Sequence, residues 1–520
     1  MNITFDPNSI DSYRQFLRVK SLPSFRITGR EAWFPDEYAS AVGLRRISER
    51  EVQLSPNDAA YDFQRDIVRM AVAKKRFAIF ADCGLGKTLM LLDFARYAMA
   101  ATGKRGLIVS PLNVVTQTIA EAERFSGDSF RNPARIPQQV TAAGLSAWLR
   151  NGKGLAITNY EAIREGALER NDLGCLILDE SSMLKSHYGK FGQRLIGAGR
   201  AIPYKLCCTG TPAPNDRIEY ANHAVFLDRF PNVNAFLARY FINRGQTQER
   251  WELKPHALQP FYASLADWSI FLANPATYGW RDVDTSVLPP IQVHLHHIDL
   301  TAEQTRAVTD KTGTLFVIDP GGIVGRASLS TIAKGWHKGK RIDSRKPAFI
   351  RELVRQWPDE STIIWCIYNK EQEILEDLFP DAASITGTTP YEDRVTLIGD
   401  FKAGRRKVLI SKPKILGFGL NLQIATRQVF SGLQDSYESY YQAVKRSNRI
   451  GSTKPLHVHI PLTEIEEPMV RNVLRKAAMV ERDTREQERI FCDVVAQWKT
   501  LAHTPRRLHP AHAGDAAAVR

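Results

Sequence analysis

The chain has 520 residues, of which 43% are hydrophobic and 24% charged. Those proportions are ordinary for a globular protein and exclude a disordered or fibrous class, while the length suggests roughly three structural units. A formal net charge of +14 points to a polyanionic partner, with a merely basic, soluble surface as the plainer alternative.

No segment approaches the run of about 18 apolar residues that a membrane span needs, so no membrane partner is expected. The six cysteines show no C-x-x-C spacing, and most sit in apolar runs. That argues against a disulfide framework or a zinc ribbon and for a reducing compartment. Met1–Pro7 lacks a basic-then-apolar signal pattern, so a cytoplasmic protein is expected.

Residues 1–50 mix basic and aromatic side chains and read as a small accessory element packed on the first domain. A nucleic-acid-contacting arm is the sharper alternative. From 51 to 235, short apolar runs alternate with helical patterns, which argues for a parallel sheet covered by helices. The runs are Phe77–Phe80, Gly106–Ser110, Leu155–Thr158, Leu176–Leu178 and Lys205–Thr209.

After the first run stands Ala81-Asp82-Cys83-Gly84-Leu85-Gly86-Lys87-Thr88, the A-x-x-G-x-G-K-T form of a phosphate-binding loop. A strand precedes it and a helix follows, which is the context the motif needs. Gly84 and Gly86 let backbone N–H groups curl around a phosphate, and the helix N-terminus adds its positive end. Lys87 would reach the outer phosphates of a nucleoside triphosphate, and Thr88 would ligate Mg²⁺. The run Leu176–Leu178 ends in Asp179 and Glu180, at the edge of the sheet where such folds bind ligands. Asp179 would hold Mg²⁺, and Glu180 would orient or deprotonate the attacking water. The run Lys205–Thr209 leads into Thr209-Gly210-Thr211-Pro212, whose hydroxyls could link the phosphate site to a neighbouring domain.

The interval 236–340 is aromatic and basic and reads as an insertion. It holds Leu288-Pro289-Pro290, an alternating strand with His294, His296 and His297, and the run Lys334–Arg341. That run suits either phosphate contacts with Trp336 stacking, or a solvated linker. The histidines, with His457 and His459, read as surface strands rather than metal ligands. Residues 341–480 repeat the strand–helix alternation with runs Thr362–Ile367, Ala383–Thr386, Lys407–Ser411, Gln428–Ser431 and His457–Pro461. Within it, Arg446 and Arg449 are three apart and share a helical face, as two guanidinium groups aimed at a phosphate on the other domain would. A charged helix follows, and 503–520 reads as a disordered tail within a C-terminal unit of 481–520. The expected fold is therefore α/β, with two RecA-like parallel-sheet domains in tandem and an insertion between them.

These motifs, in this order over about 54–480, resemble the superfamily 2 helicase-like motors of the Swi/Snf type. Compact versions of that family are carried by bacteriophages and prophages. The resemblance implies that Gln64 reads adenine, and that Gly419 and Gln442 belong to the nucleotide site. It further implies that Pro111, Thr158, Thr209, Gly210, Thr211 and Asn421 serve nucleic-acid contact or coupling. Three departures stand out: D-E-S-S for D-E-A-H at 179–182, Phe418 for a second glycine, and Ser452 for a glutamine. The first removes one link to the second domain, but none removes a phosphate or metal contact. The resemblance implies an ATP- and Mg²⁺-dependent motor on nucleic acid, duplex DNA foremost. The alternatives are an ATP-switched DNA-binding scaffold, or a motor subunit working with replication, recombination, restriction or defence proteins.

Overall fold

The computed structural model describes residues 1–22, 25–35, 38–44, 57–125, 136–163, 172–186, 189–245, 250–312, 322–416, 420–434 and 436–503. The tail 504–520 and Gly419 lie outside them.

The N-terminal unit pairs β1 (Asn2–Thr4), β2 (Arg26–Thr28) and β3 (Glu31–Trp33) antiparallel in the order β1-β3-β2. It has its own small core around Val19, Ala32 and Phe34, with the helix Ile10–Lys20 contributing Val19. Phe25 lies under the guanidinium of Arg239, 4.9 Å from it, which ties the unit to the helix Val233–Tyr240 of the first domain.

The first large sheet is wholly parallel. Its strands are β4 (Arg76–Ala81), β5 (Arg105–Ser110), β6 (Gln138–Gln139), β7 (Leu155–Asn159), β8 (Leu173–Asp179) and β9 (Tyr204–Thr209). After the antiparallel pair β10 (Phe241–Asn243) and β11 (Trp251–Leu253), β12 (Ser269–Leu272) returns to pair with β4. The spatial order is β12-β4-β9-β8-β5-β7-β6. The central strands are buried along nearly their whole length, as strands covered by helices on both faces must be.

The second sheet begins with β13 (Ile291–His297). A small hairpin, β14 (Trp336–His337) with β15 (Lys340–Arg341), stands apart from it. The remaining strands are β16 (Ser361–Trp365), β17 (Ala383–Ile385), β18 (Val408–Ser411), β19 (Ala425–Phe430) and β20 (Leu456–Leu462), in the parallel order β13-β20-β19-β16-β18-β17.

Every apolar run singled out in the sequence falls on a strand of one of these two sheets. The interval 236–340 differs from its expected role as an insertion, because it supplies an edge strand to each sheet, β12 to the first and β13 to the second. Main-chain pairing recruits these strands from a distance, and no local pattern records their partner. The histidines of β13 lie on an edge strand, but His457 and His459 lie one strand inward. His294 Nε2 and His457 Nδ1 are 3.1 Å apart, as are His296 Nε2 and His459 Nδ1, so the four rings form a ladder between the strands.

The helix Glu467–His503 leaves the second sheet and ends on the first. Val470 and Val473 belong to the second domain's core, and Phe491 belongs to the first domain's core, packed on Phe271. Arg217 forms a forked ion pair with Asp483, and Glu488 accepts the N–H groups of Ala273 and Asn274 at 2.9 and 3.1 Å.

Lys334, expected to be free for phosphate or solvent, is instead buried. Its ammonium donates to Glu466 at 2.9 Å, and Lys346 donates to the other oxygen of the same carboxylate. Burial alone would raise the Glu466 pKa, but the two ammonium groups override it and hold the carboxyl down at about 2. Glu466→Ala leaves two desolvated lysines without their partner, so a loss of about 3–5 kcal/mol is expected in urea unfolding monitored by fluorescence.

Candidate active site

The phosphate loop leaves the buried end of β4 and turns into the helix Lys87–Thr102. Gly84 and Gly86 have φ of 90° and 73°, left-handed values that a side chain would strain. A Cβ on Gly86 would lie 2.2 Å from Gln64 Nε2, so a side chain there would displace the Gln64 amide. Gln64 Nε2 donates to the Leu85 carbonyl at 3.0 Å, and its Oε1 accepts from Tyr61 N–H at 3.0 Å. Gln64 thus braces the loop from the helix Asp62–Lys74. Lys87 Nζ donates to the carbonyls of Ala81 and Asp82 at 2.9 and 3.3 Å. Burial would lower the Lys87 pKa, but the negative potential of Cys83, Glu180, Asp82 and Asp179 keeps it above its ordinary value. Thr88, half-buried, follows in the first helical turn, whose N–H groups have no partner within the helix.

Asp179 ends β8 and Glu180 follows it. Glu180 adopts φ 47°, a left-handed conformation costing about 1–2 kcal/mol for a residue with a Cβ. Its N–H donates to Asp179 Oδ1 at 3.0 Å. Ser110 donates to Asp179 Oδ2 at 3.3 Å, and Tyr160 donates to the Asp179 carbonyl at 2.8 Å. Burial first, and then the adjacent Glu180, push the Asp179 carboxyl up to about 7, while Lys87 pulls it down. Thr209 donates to Glu180 Oε2 at 3.3 Å, and its hydroxyl accepts Thr211 N–H at 3.2 Å. A Cβ on Gly210 would lie 3.3 Å from the Ala81 carbonyl and 3.7 Å from Lys87 Nζ, so this loop borders the phosphate loop.

The second domain closes the site. Arg446 and Arg449, expected to share a helical face, instead stand in the turns that follow the helix Tyr437–Val444. Arg446 is buried, and its Nε has no hydrogen-bond partner among the described residues. Burial and the neighbouring Arg449 lower its pKa to about 10, against the opposing pull of Cys83 and Glu180. The Arg449 side chain lies over Gly84, 3.7 Å from where a Cβ there would be. Its Nε donates to the Lys445 carbonyl at 2.7 Å. Ser452, which stands where the family has glutamine, accepts Arg449 N–H at 3.1 Å and donates to the Ser447 carbonyl at 2.9 Å. It therefore fixes the turn that aims Arg449.

Several residues that sequence reasoning missed complete the contact. Lys445 Nζ lies 2.9 Å from Asp82 Oδ2, and the Tyr441 hydroxyl donates to Asp82 Oδ1. Glu438 accepts Lys185 at 2.6 Å and Thr211 Oγ1 at 3.3 Å. Lys185 lies just beyond D-E-S-S and ties that segment to the second domain where the usual histidine is missing. In the sequence these partners lie hundreds of residues apart, and none carries a local signal.

The remaining expected residues are less concentrated. Gln442 is half-buried on the helix Tyr437–Val444. Asn421 is exposed and donates to Gln423, which in turn donates to the Arg449 carbonyl at 3.3 Å. Pro111 caps the helix Leu112–Arg124 at the end of β5. Thr158 does not face solvent: it is buried, and its hydroxyl donates to the Val140 carbonyl at 2.6 Å. Of the nucleic-acid contact or coupling that the resemblance implies for it, direct contact is closed in this arrangement, because the hydroxyl is buried and already donates to that carbonyl. No group of three or more His, Cys, Asp or Glu among the described residues forms a metal cage. The donor set is instead the sparse one that suits Mg²⁺, which keeps waters and shares substrate phosphates.

A family description for the SNF2-related domain matches residues 63–345, and one for the helicase conserved C-terminal domain matches 345–451. The chain belongs to the SNF2-related family. This SNF2-related chain is a helicase-like enzyme that hydrolyses ATP. It is 23% identical over 433 residues to "Putative protein p41" of Acyrthosiphon pisum secondary endosymbiont phage 1, covering 76% of this chain and 91% of that one. It is 24% identical to the Drosophila melanogaster SWI/SNF-related matrix-associated actin-dependent regulator of chromatin subfamily A-like protein 1, covering 77% of this chain and 52% of the fly protein. Among solved structures, the Sulfolobus solfataricus SWI2/SNF2 ATPase core in complex with dsDNA aligns over 85% of this chain and 97% of its own, at 16% identity and TM-score 0.39.

The raised Asp179 pKa carries a stability cost with a defined sign. The unfolded carboxyl ionises near 3.8 and the folded one near 7, so the cost grows as pH rises through that window and is constant above it. Asp179→Asn removes the charge. The nucleotide-free variant should gain stability over the wild type by about 1.4 kcal/mol per pH unit between about pH 4 and 7, then level off, as read by unfolding at several pH values.

Proposed function

We propose that this SNF2-related ATPase is a nucleic-acid motor whose ATP binds between the two sheets and whose track is duplex DNA. The observation that carries the reading is Arg446, a desolvated guanidinium with an unpartnered Nε, set beside the phosphate loop and Glu180. A buried guanidinium nitrogen without a hydrogen-bond partner is costly, and a triphosphate beside it would satisfy it.

In this reading Gly84, Gly86 and Lys87 cradle the phosphates, while Gln64 stands at the loop for the base. Thr88 and Asp179 would hold Mg²⁺, which when bound neutralises charge on the outer phosphate oxygens. Glu180, held by Thr209, orients the attacking water and accepts its proton. Arg446 and Arg449 stabilise charge developing on the transferred phosphoryl group. Gly419 and Gln442 are assigned to the same site from the resemblance alone.

Coupling would run through two routes. Thr209–Glu180 and Thr211–Glu438 connect the catalytic carboxylate to the second domain, and Asn421–Gln423 connects an exposed edge to Arg449. Loss of the γ-phosphate would free the arginines and let the domains part, a hinge motion driven by ligand. Pro111, just past the carboxyl end of β5, and exposed Asn421 are assigned to the track from the resemblance alone. The formal charge of +14 fits a polyphosphate track, and the fly relative is named as a regulator of chromatin.

ATP turnover should rise with nucleic acid, most with duplex DNA, and fall to background in Lys87→Ala and Glu180→Gln. Arg446→Ala should lose about 10³-fold or more. The check is ATPase rate against duplex DNA, single-stranded DNA and duplex RNA; a wild-type rate indifferent to all three sinks the motor reading.

A further inference from the structure

The basic run after the helix Gly322–Ala333 divides in two in the structure. Lys334 is sequestered against Glu466, whereas the next residues form the hairpin β14–β15. Its two-residue loop, Lys338-Gly339, has φ of 46° and 78°. Two positive angles in succession give the tight turn whose twist matches paired strands. Ile342 N–H closes the base by donating to the Gly335 carbonyl at 2.8 Å. The tip exposes Lys338, Lys340 and Arg341, and none of the three has an ion-pair partner among the described residues.

The hairpin has a fixed place on the second domain. Lys370 Nζ lies 4.3 Å from the Trp336 ring centroid and donates to the Gly339 carbonyl at 3.4 Å. Its neighbour Asn369, just past β16, accepts from Lys412, just past β18. The hairpin therefore stands at the carboxyl ends of the strands, the rim where parallel α/β sheets take ligands. Exposed Lys370 and Lys414 extend the positive rim. Like charges held together without counter-charges repel, and a chain of phosphates relieves that repulsion. Because Lys370 already covers the Trp336 ring, the contact is with backbone charge rather than with stacked bases.

We propose that the β14–β15 tip, through Lys338, Lys340 and Arg341, is a phosphodiester contact by which the second domain grips its nucleic-acid track. This rests on the motor reading above and adds a grip outside the motifs shared with the family.

The test uses the full chain and a labelled duplex oligonucleotide titrated at several salt concentrations. Lys338→Asn, Lys340→Gln and Arg341→Gln are combined, asparagine being chosen because it tolerates positive φ. The slope of log affinity against log salt should become shallower by about 2–3, near 0.9 for each phosphate that the variant no longer neutralises. ATP turnover without nucleic acid should be unchanged. Lys340→Arg with Arg341→Lys should keep the wild-type slope, which separates charge from misfolding. A wild-type slope in the neutralised protein overturns the proposal. So does equally tight binding of polyglutamate through these residues, which would make the surface one for acidic protein. If the slope falls while ATP turnover ignores every nucleic acid, the grip stands and the motor reading fails.

Discussion

Two guanidinium groups and an ammonium from the second domain stand against the phosphate loop of the first, and burial strips much of the hydration from Arg446 and Lys445. Asp82 offsets the ammonium of Lys445 with help from Tyr441, and its carboxyl is held low because these partners outweigh burial. Arg446 has no such partner at Nε. The closed arrangement is therefore compensated at one end of the cleft and under-compensated at the other. Much of the surrounding architecture serves to hold these groups in place.

That imbalance explains the shape of the coupling. Glu180 lies in a left-handed backbone conformation, its side chain held by Thr209, and Thr211 on the same loop reaches Glu438. Glu438 is also the target of Lys185. The Glu180 carboxylate is thus two hydrogen bonds and a short stretch of loop from the second domain, without the histidine that related sequences place after the acidic pair. A lysine reaching across does the linking with longer reach and less directional preference.

The parts of the site built from contiguous residues were legible in the sequence. The phosphate loop and the Asp179–Glu180 strand end combine residue type with local geometry; Arg446 and Arg449 carry the residue type, but turns stand where a helix is expected, and all three segments converge in space. What the sequence did not reveal depends on distant partners. Asp82 and Tyr441 are 359 residues apart, and nothing local to either predicts the bond. β12 and β13 were misassigned to an insertion because an edge strand's identity lies in the strand it pairs with. Thr158 and Lys334 have the right chemistry for phosphate contact, but the Val140 carbonyl takes the hydroxyl of one and Glu466 captures the other.

The helix Glu467–His503 restricts how the two sheets can move. Val473 is anchored in one core and Phe491 in the other, 18 residues apart, so the helix fixes their separation at about 27 Å. An α-helix resists stretching, so the domains cannot simply translate apart. They can swivel about it, bend it, or withdraw Phe491 at a cost of about 1.5–3 kcal/mol of apolar burial. The helix thereby leaves rotation as the cheapest degree of freedom, and any parting of the two domains would open an angle rather than a gap.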